Sequence, residues 1–356
     1  MICMGDRSHG SKMAERTAIV GWDIGGVNTK AARLAADSRA PHRTLSRPFE
    51  IQRDRSQLAP TLRAVAAQLG ADETDHHAVT MTAELSQSFR TKREGVGFIL
   101  HALEAAFPAG RIQVYTVTGR FVTPQEARSR PLEAAASNWA ATAAWVAHQF
   151  PDCILVDIGT TTTDLIPIEQ GTVVAKGRTD PERLATGELI YSGALRTPVE
   201  ALAWRVPLDS TTVGLSAEGF ALSGDVYLWL RRLAEEDYTC PTPDGRPATR
   251  EYAGERLARV VCADREMLNE GTIDQMATAL AQAQLERISG ALGELRSRFP
   301  ALDTAVVTGL GEFIAAEAAR DAGLRVISLG DRTVGAGQTT AATAVACLLQ
   351  HTLAAP

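Results

Sequence analysis

The chain has 356 residues, 45% hydrophobic and 22% charged. That is a globular balance on a chain too long for one average core, so two structural units are expected. A formal net charge of −6 disfavours a nucleic-acid coat or an anionic membrane surface as partner, because both reward net positive charge.

Residues 1–16 carry charge but no apolar run and read as a disordered extension, with Met13 an alternative start. Nothing later approaches the roughly 18 apolar residues of a membrane span. Five cysteines at irregular spacing argue for a reducing, cytoplasmic setting rather than a disulfide scaffold. TAIVGWDIGGVNTKAARLA, from Thr17, reads as a two-stranded hairpin whose turn carries the polar residues. CILVDIGTTTTDLIPIEQG, from Cys153, repeats the device, which suggests two lobes of similar fold. Between them, Leu58, Leu62, Val65 and Leu69 have helical spacing, with Pro60 tolerated in the first turn. A strand beginning at His77 is expected to leave the lobe core, with His76 and His77 at a loop–strand edge. Val96, Ile99, Leu100 and Leu103 form another helical face. A strand follows from Arg111, and residues 130–150 read as one Ala-rich helix behind it.

Beyond the second hairpin, residues 173–199 mix Gly, Pro, Thr and charge and read as a structured loop over a cleft. Residues 235–250 read as an exposed loop. Leu285, Ile288, Leu292 and Leu295 mark a long helix, and AVVTGLGEF a strand, a Gly turn and a helix. Gly335 and Gly337 open a closing helix that ends near Gln350 and returns to the first lobe. The alternation predicts α/β architecture: a first lobe over residues 17–150, and a second over 151–350 with an inserted loop and helical region at about 180–270.

Three segments could carry chemistry. In Asp23–Lys30, Gly25 and Gly26 let backbone amides approach an anion, Asn28 and Thr29 add donors, and Lys30 offers charge. Asp23 would hold a metal ion through water. In Asp157–Asp164, Gly159 opens a turn whose Thr160, Thr161 and Thr162 supply hydroxyls, Asp157 faces Asp23 across the cleft, and Asp164 either joins the metal site or caps the turn. Gly309 and Gly311 end a strand at a helix N-terminus, a place to seat a ligand. Each segment also has a plainer reading: a solvated Gly hairpin, a Thr-rich edge strand, a tight strand–helix turn. Taken together and in this order they resemble the phosphate-one, phosphate-two and adenosine motifs of the actin-like ATPase (ribonuclease H-like) superfold, a two-lobed fold with a central cleft. That fold hosts kinases, chaperones, filaments and transferases. His76 and His77 lack further spaced ligands for zinc, Cys240 and Cys262 lack the paired cysteines of a structural metal site, and no Gly-x-Ser-x-Gly elbow is present. Arg256 to Asp264 reads as a solvated helical face, with Arg256 or Arg259 alternatively near an acidic substrate.

The order of DIGGVNTKAA, MTAELSQSF, AAASNWAATA, DIGTTTTDLIPI, GRTDPERLATGELIYSGALRTPV, RLARVVCAD and VTGLGEF resembles the hydantoinase/oxoprolinase-like proteins of the tetrahydromethanopterin-linked one-carbon pathway. The resemblance implies a transferase of methanofuran-type coenzyme biosynthesis. Such an enzyme condenses an aminomethylfuran-methyl diphosphate with the phenol of a γ-glutamyltyramine-like or tyrosine-like acceptor and releases diphosphate. It implies Mg²⁺ on Asp23 and Asp157, phosphate contacts from both Gly/Thr turns, and no requirement for ATP. Glu84 or Glu188 would take the phenol proton, and Arg183, Arg196 or Arg256 the charged ends of the substrates. Partners would be these small molecules, with no nucleic acid or membrane, and a homo-oligomer is compatible with the sequence. The rival readings are an ATP-dependent small-molecule kinase, an oxoprolinase-like hydrolase and a non-catalytic nucleotide sensor.

Overall fold

The computed structural model describes residues 17–36, 38, 41, 43–332 and 337–354. The expected N-terminal extension and Gly335 lie outside these residues.

The first sheet is built on the first hairpin. Strand β1 (Ile19–Ile24) is buried along its whole length and pairs antiparallel with β2 (Asn28–Leu34), which pairs with β3 (Arg43–Pro48). Helix α1 (Leu58–Leu69) buries Leu58, Leu62, Val65 and Leu69, as their spacing requires, and stops at Gly70, whose φ of 73° suits a left-handed cap. Strand β4 (His76–Met81) runs parallel beside β1, in the middle of the sheet. His76 and His77 open β4 straight after a loop, as expected, and His77 is a core residue that accepts a hydrogen bond from Trp22 Nε1, with burial driving its pKa down to about 3. Helix α2 (Lys92–Ala106) and strands β5 (Ile112–Tyr115) and β6 (Phe121–Val122) complete the order β3-β2-β1-β4-β5-β6.

The Ala-rich stretch is not one helix. After α3 (Pro124–Ser129), a single turn α4 (Pro131–Ala134) ends where Ala135 bridges to Met81 beyond the sheet, and Ala136 takes a φ of 49°. Helix α5 (Asn138–Ala147) begins only after that break.

The second sheet repeats the plan. Strands β7 (Cys153–Ile158) and β8 (Thr163–Glu169) form the second hairpin, and β8 carries two short outer strands, β9 (Thr172–Val173) and, after α6 (Asp180–Thr186), β10 (Leu189–Ile190). A small ribbon, β11 (Arg205–Leu208) with β12 (Thr211–Gly214), leads to three helices: α7 (Ser223–Trp229), α8 (Arg250–Arg259) and the 29-residue α9 (Glu270–Arg298). Strand β13 (Thr304–Thr308) then pairs parallel with β7, followed by α10 (Glu312–Asp321), β14 (Arg325–Ser328) and α11 (Thr340–Ala354). The order β10-β8-β7-β13-β14 matches that of the first sheet around its own hairpin.

Helices α5 and α11 join the two sheets. Trp145, Val146, Val345 and Leu349 share an apolar cluster with Ile19, Leu34 and Ala78 of the first sheet and Leu155, Ile166 and Val306 of the second. Close approach of α11 to β1 depends on Gly21, where a Cβ would lie 2.0 Å from the Ala342 carbonyl. The two hairpin turns consequently face one cleft. Residues 235–250 are less exposed than expected, since Tyr238 and Cys240 are buried under the loop.

Candidate active site between two matched hairpins

The two turns are built alike. The Gly25 amide donates to the Asn28 carbonyl at 3.0 Å, and the Gly159 amide donates to the Thr162 carbonyl at 2.9 Å. A Cβ at Gly25 would sit 2.7 Å from that same Asn28 oxygen, so only glycine closes the first turn this way, whereas Gly26 faces open space. Strand alternation sorts the residues after the turn. Asn28 and Lys30 line the cleft, but Thr29, cross-strand partner of Ile24, is fully buried and faces neither cavity, which removes it from the expected phosphate contacts.

In the second turn the carbonyls are held from behind. Gly159 O accepts from the Ala194 amide, and Thr160 O accepts from the amides of Leu195 and Arg196. A trans peptide points its N–H opposite its C=O, so the Thr160 and Thr161 amides turn toward the cleft beside their side chains. Gly193 makes this contact possible, because a Cβ there would lie 2.5 Å from Thr161 N.

The cleft has two parts. A polar inner pocket of about 60 Å³, room for a few waters, is lined by Asp23, Lys30, Asp157, Asp164, Thr160 and Gly309 among others. An outer cavity of about 520 Å³ is lined by both turns, Glu84, Asn138, Trp139, Tyr191 and Arg196. Asp23 is buried, with Oδ2 3.7 Å from Lys30 Nζ and Oδ1 without a partner. Its pKa is raised by burial, against the pull of Lys30. Asp157 is pushed up to about 7, first by burial and then by Asp164. Among the described residues no group of three or more His, Cys, Asp or Glu is gathered tightly enough to hold a metal ion. The orphaned Asp23 oxygen and the polar inner pocket suit an ion that keeps most of its ligands as water and phosphate, which is how Mg²⁺ binds.

The expected catalytic carboxylates separate. Glu188 is fully buried away from both cavities, and its oxygens accept from the amides of Lys176 and Gly177 at 2.9 Å each, so it is a loop anchor rather than a base. Glu84 lines the outer cavity, only 1% exposed, with both oxygens lacking a hydrogen-bond partner. Burial pushes its pKa up to about 7, opposed by Lys92 and by nearby backbone amides.

The expected arginines separate too. Arg183 is buried, donates to Asp164 Oδ1 at 2.9 Å and to the Glu188 carbonyl, and lies 4.1 Å over the Trp139 ring. It clamps the site and is committed there; the same bond settles Asp164 as its ion-pair partner. Arg256 is not on a solvated face. It is fully buried among Asp225 and Asp244 and lines neither cavity, and Arg259 reaches only Asp244. Arg196 is exposed at the cleft and makes no ion pair among the described residues.

The adenosine-type turn is closed. Gly309, with φ 93°, lies so near the β7 end that a Cβ would meet Ile158 O at 2.4 Å and Asp157 Oδ1 at 2.5 Å. At Gly311 a Cβ would meet Ile158 Cγ2 at 2.4 Å, and this residue faces neither cavity. The expectation that Gly311 helps seat a ligand is therefore corrected: the space beside it is filled by Ile158 and Ala194.

Several cleft residues escaped the sequence. Asn138 and Trp139 looked like the interior of an Ala-rich helix, although Ser137-Asn138 is a pair that favours helix starts. Thr239, assigned to an exposed loop, reaches across to Asn28 Nδ2 at 3.5 Å.

Two matched sheets, each offering an aspartate-bearing hairpin to one cleft, define a protein of the actin-like ATPase superfold. Within it, the chain belongs to the hydantoinase/oxoprolinase family, whose family model matches residues 75–351. It is 40% identical over 338 residues, 94% of this chain and 98% of the relative, to the (4-{4-[2-(gamma-L-glutamylamino)ethyl]phenoxymethyl}furan-2-yl)methanamine synthase of Methanocaldococcus jannaschii. A Methanococcus vannielii protein of the same name is 38% identical over 167 residues, 47% of this chain and 74% of that one. The nucleotide-free structure of acetone carboxylase shares the fold at 10% identity with a TM-score of 0.54, over 93% of this chain and 70% of that chain. Among the described residues no helix is long and apolar enough to cross a membrane.

Proposed function

We propose that this protein is a transferase of methanofuran-type coenzyme biosynthesis, joining an aminomethylfuran-methyl diphosphate to the phenol oxygen of a γ-glutamyltyramine-like or tyrosine-like acceptor. The observation that carries this reading is the division of the cleft. The large cavity opens beside the phosphate-type turns on the Glu84 and Trp139 side, while the Gly309 turn borders only the small polar pocket. That layout suits an organic diphosphate and an aromatic acceptor better than a nucleotide seated at Gly309. The two archaeal synthases support the same reaction, the first over nearly the whole of both chains.

In the reaction the C–O bond between the furfuryl CH₂ and the diphosphate breaks, and both electrons leave with the diphosphate. The furan ring oxygen donates into the developing cation. The phenol oxygen then bonds to the CH₂ and gives its proton to the released diphosphate. The Thr160 and Thr161 amides, the hydroxyls of Thr160, Thr161 and Thr162, and Lys30 bind the leaving group where its charge develops, the kind of stabilisation worth most in a water-poor cleft. Mg²⁺ bound by Asp23 and Asp157 would neutralise part of that charge. Trp139, held flat by Arg183, offers an aromatic wall to the ring system. The same reading takes the reaction to be cytoplasmic and independent of ATP.

The test is mass spectrometry of the purified protein with aminomethylfuran-methyl diphosphate and each acceptor in nucleotide-free buffer. We expect one ether and one diphosphate per turnover. Strict dependence on ATP, or a γ-phosphate on the product, would overturn the proposal.

A further inference from the structure

We infer that Glu84 is the receptor for an alkylammonium group, the aminomethyl arm of the furan substrate, and so decides which furfuryl diphosphates the cleft accepts. The identity of that arm rests on the proposed function; the need for a cationic ligand rests on the geometry alone.

Glu84 lies in a short turn after β4, where the Thr82 amide donates to Ile24 O and so sets the chain beside the Gly25 turn. Helix α2 presses on it from outside: a Cβ at Gly95 would lie 2.5 Å from Glu84 O. The side chain is thereby fixed at the cavity wall. Its two buried oxygens have no partner at hydrogen-bond geometry, and the nearby amides of Glu84 and Ala136 only partly offset its burial, an arrangement that is costly for a carboxylate unless something else fills the need. Lys92 does not fill it. Its ammonium is 2.5 Å from Asp180 Oδ2 and 3.8 Å from Glu84 Oε1, beyond hydrogen-bond length.

The other carboxylates of the outer cavity each face a cation, and only Asp23 among them keeps a buried oxygen without a partner, the one that borders the inner pocket. Asp164 holds Arg183, Asp180 holds Lys92, Asp23 faces Lys30, and Glu50 pairs with Arg53. Glu84 is the one carboxylate of this cavity whose two oxygens both lack a hydrogen-bond partner. The cleft thus has a donor-rich end at the threonine turn and an acceptor end at Glu84. A furan bearing diphosphate on one arm and ammonium on the other matches that polarity. Pairing with the ammonium keeps Glu84 ionised, so it is not free to take the phenol proton as the sequence suggested. Since Glu84 would act on binding, it sets specificity.

The test compares aminomethylfuran-methyl diphosphate with its counterpart carrying a plain methyl in place of the aminomethyl. Wild-type protein should prefer the amine by about 10- to 100-fold in kcat/KM, the range of a hydrogen-bonded charge pair. In Glu84→Gln that preference should fall to within a few-fold, mainly through a higher KM for the amine, and Glu84→Asp should restore part of it. Equal use of both substrates by wild-type protein, or an equal loss of kcat on both in Glu84→Gln, would overturn the inference. If neither substrate yields an ether, the proposed function fails instead. Calorimetry of the two corresponding furfuryl alcohols on wild type and Glu84→Gln then still decides the inference: equal affinity of the wild type for both would sink it, and an amine preference lost in the variant would uphold it.

Discussion

Lys30 and Asp164 occupy the same place in two matching hairpins: each is the cross-strand partner of its hairpin's leading aspartate, Lys30 of Asp23 and Asp164 of Asp157. The first hairpin therefore brings a cation to its carboxylate and the second brings another carboxylate. Arg183 takes up Asp164, leaving Asp157 as the acid of the inner pocket whose charge is least compensated.

Asp157 must lose its proton before it can meet a cation. Its pKa is pushed up to about 7 by burial and Asp164, with Asp23 adding to the rise and Lys30 opposing it. Binding of Mg²⁺ with diphosphate should strengthen as pH rises from roughly 6 to 8, because the proton and the metal compete for one carboxylate. Calorimetry should show this slope in wild type, and weaker, flatter binding in Asp157→Asn. A flat wild-type profile would remove Asp157 from the metal site.

Glu84 should leave its mark on stability as well. The folded protein holds its proton more tightly than the unfolded chain, the pKa moving from 4.5 to about 7. Its contribution is full below the lower value and is lost as pH rises through the higher one. Glu84→Gln cannot ionise, so without ligand it should gain on wild type above pH 7, by at most about 3 kcal/mol. Thermal melts at acid and alkaline pH would show the difference in Tm growing with pH; a difference that shrinks would contradict the burial argument.

Arg256→Met should destabilise the protein by about 3–5 kcal/mol, because it leaves Asp225 buried without its partner. The double variant Arg256→Met with Asp225→Leu should recover much of that loss. Denaturant titration measures both. If Arg256→Met were as stable as wild type but had a raised substrate KM, the substrate-binding reading of Arg256 would return.

The two glycines of the closed turn should behave differently. Gly309→Ala puts a Cβ against Asp157 Oδ1 at a φ of 93° and should lower kcat at least tenfold by moving that carboxylate, as small displacements of catalytic groups do. Gly311→Val collides with Ile158 and should lower Tm without a selective change in substrate KM. A stable Gly311→Val with altered KM would place the organic substrate on that side after all.

The hairpins were legible because their signals are local. Asp-Ile-Gly at a strand end and the small or hydroxyl residues after it determine the turn within eight positions, and the leucine spacings determine α1, α2 and α9 within a few turns. The fold class follows from the order of such pieces. Which charges are free does not. Arg256 is settled by Asp225, 31 residues away, Arg183 by Asp164, 19 away, and Glu188 by two amides of a loop that only tertiary packing brings to it. The Ala-rich run breaks because Ala135 meets Met81, a partner no helical propensity reveals. Backbone turns and helical faces are decided by near neighbours, whereas the burial of a charge depends on partners that only the folded chain assembles, so the sequence determined the frame of the cleft and the tertiary structure decided which of its side chains remain open to a substrate.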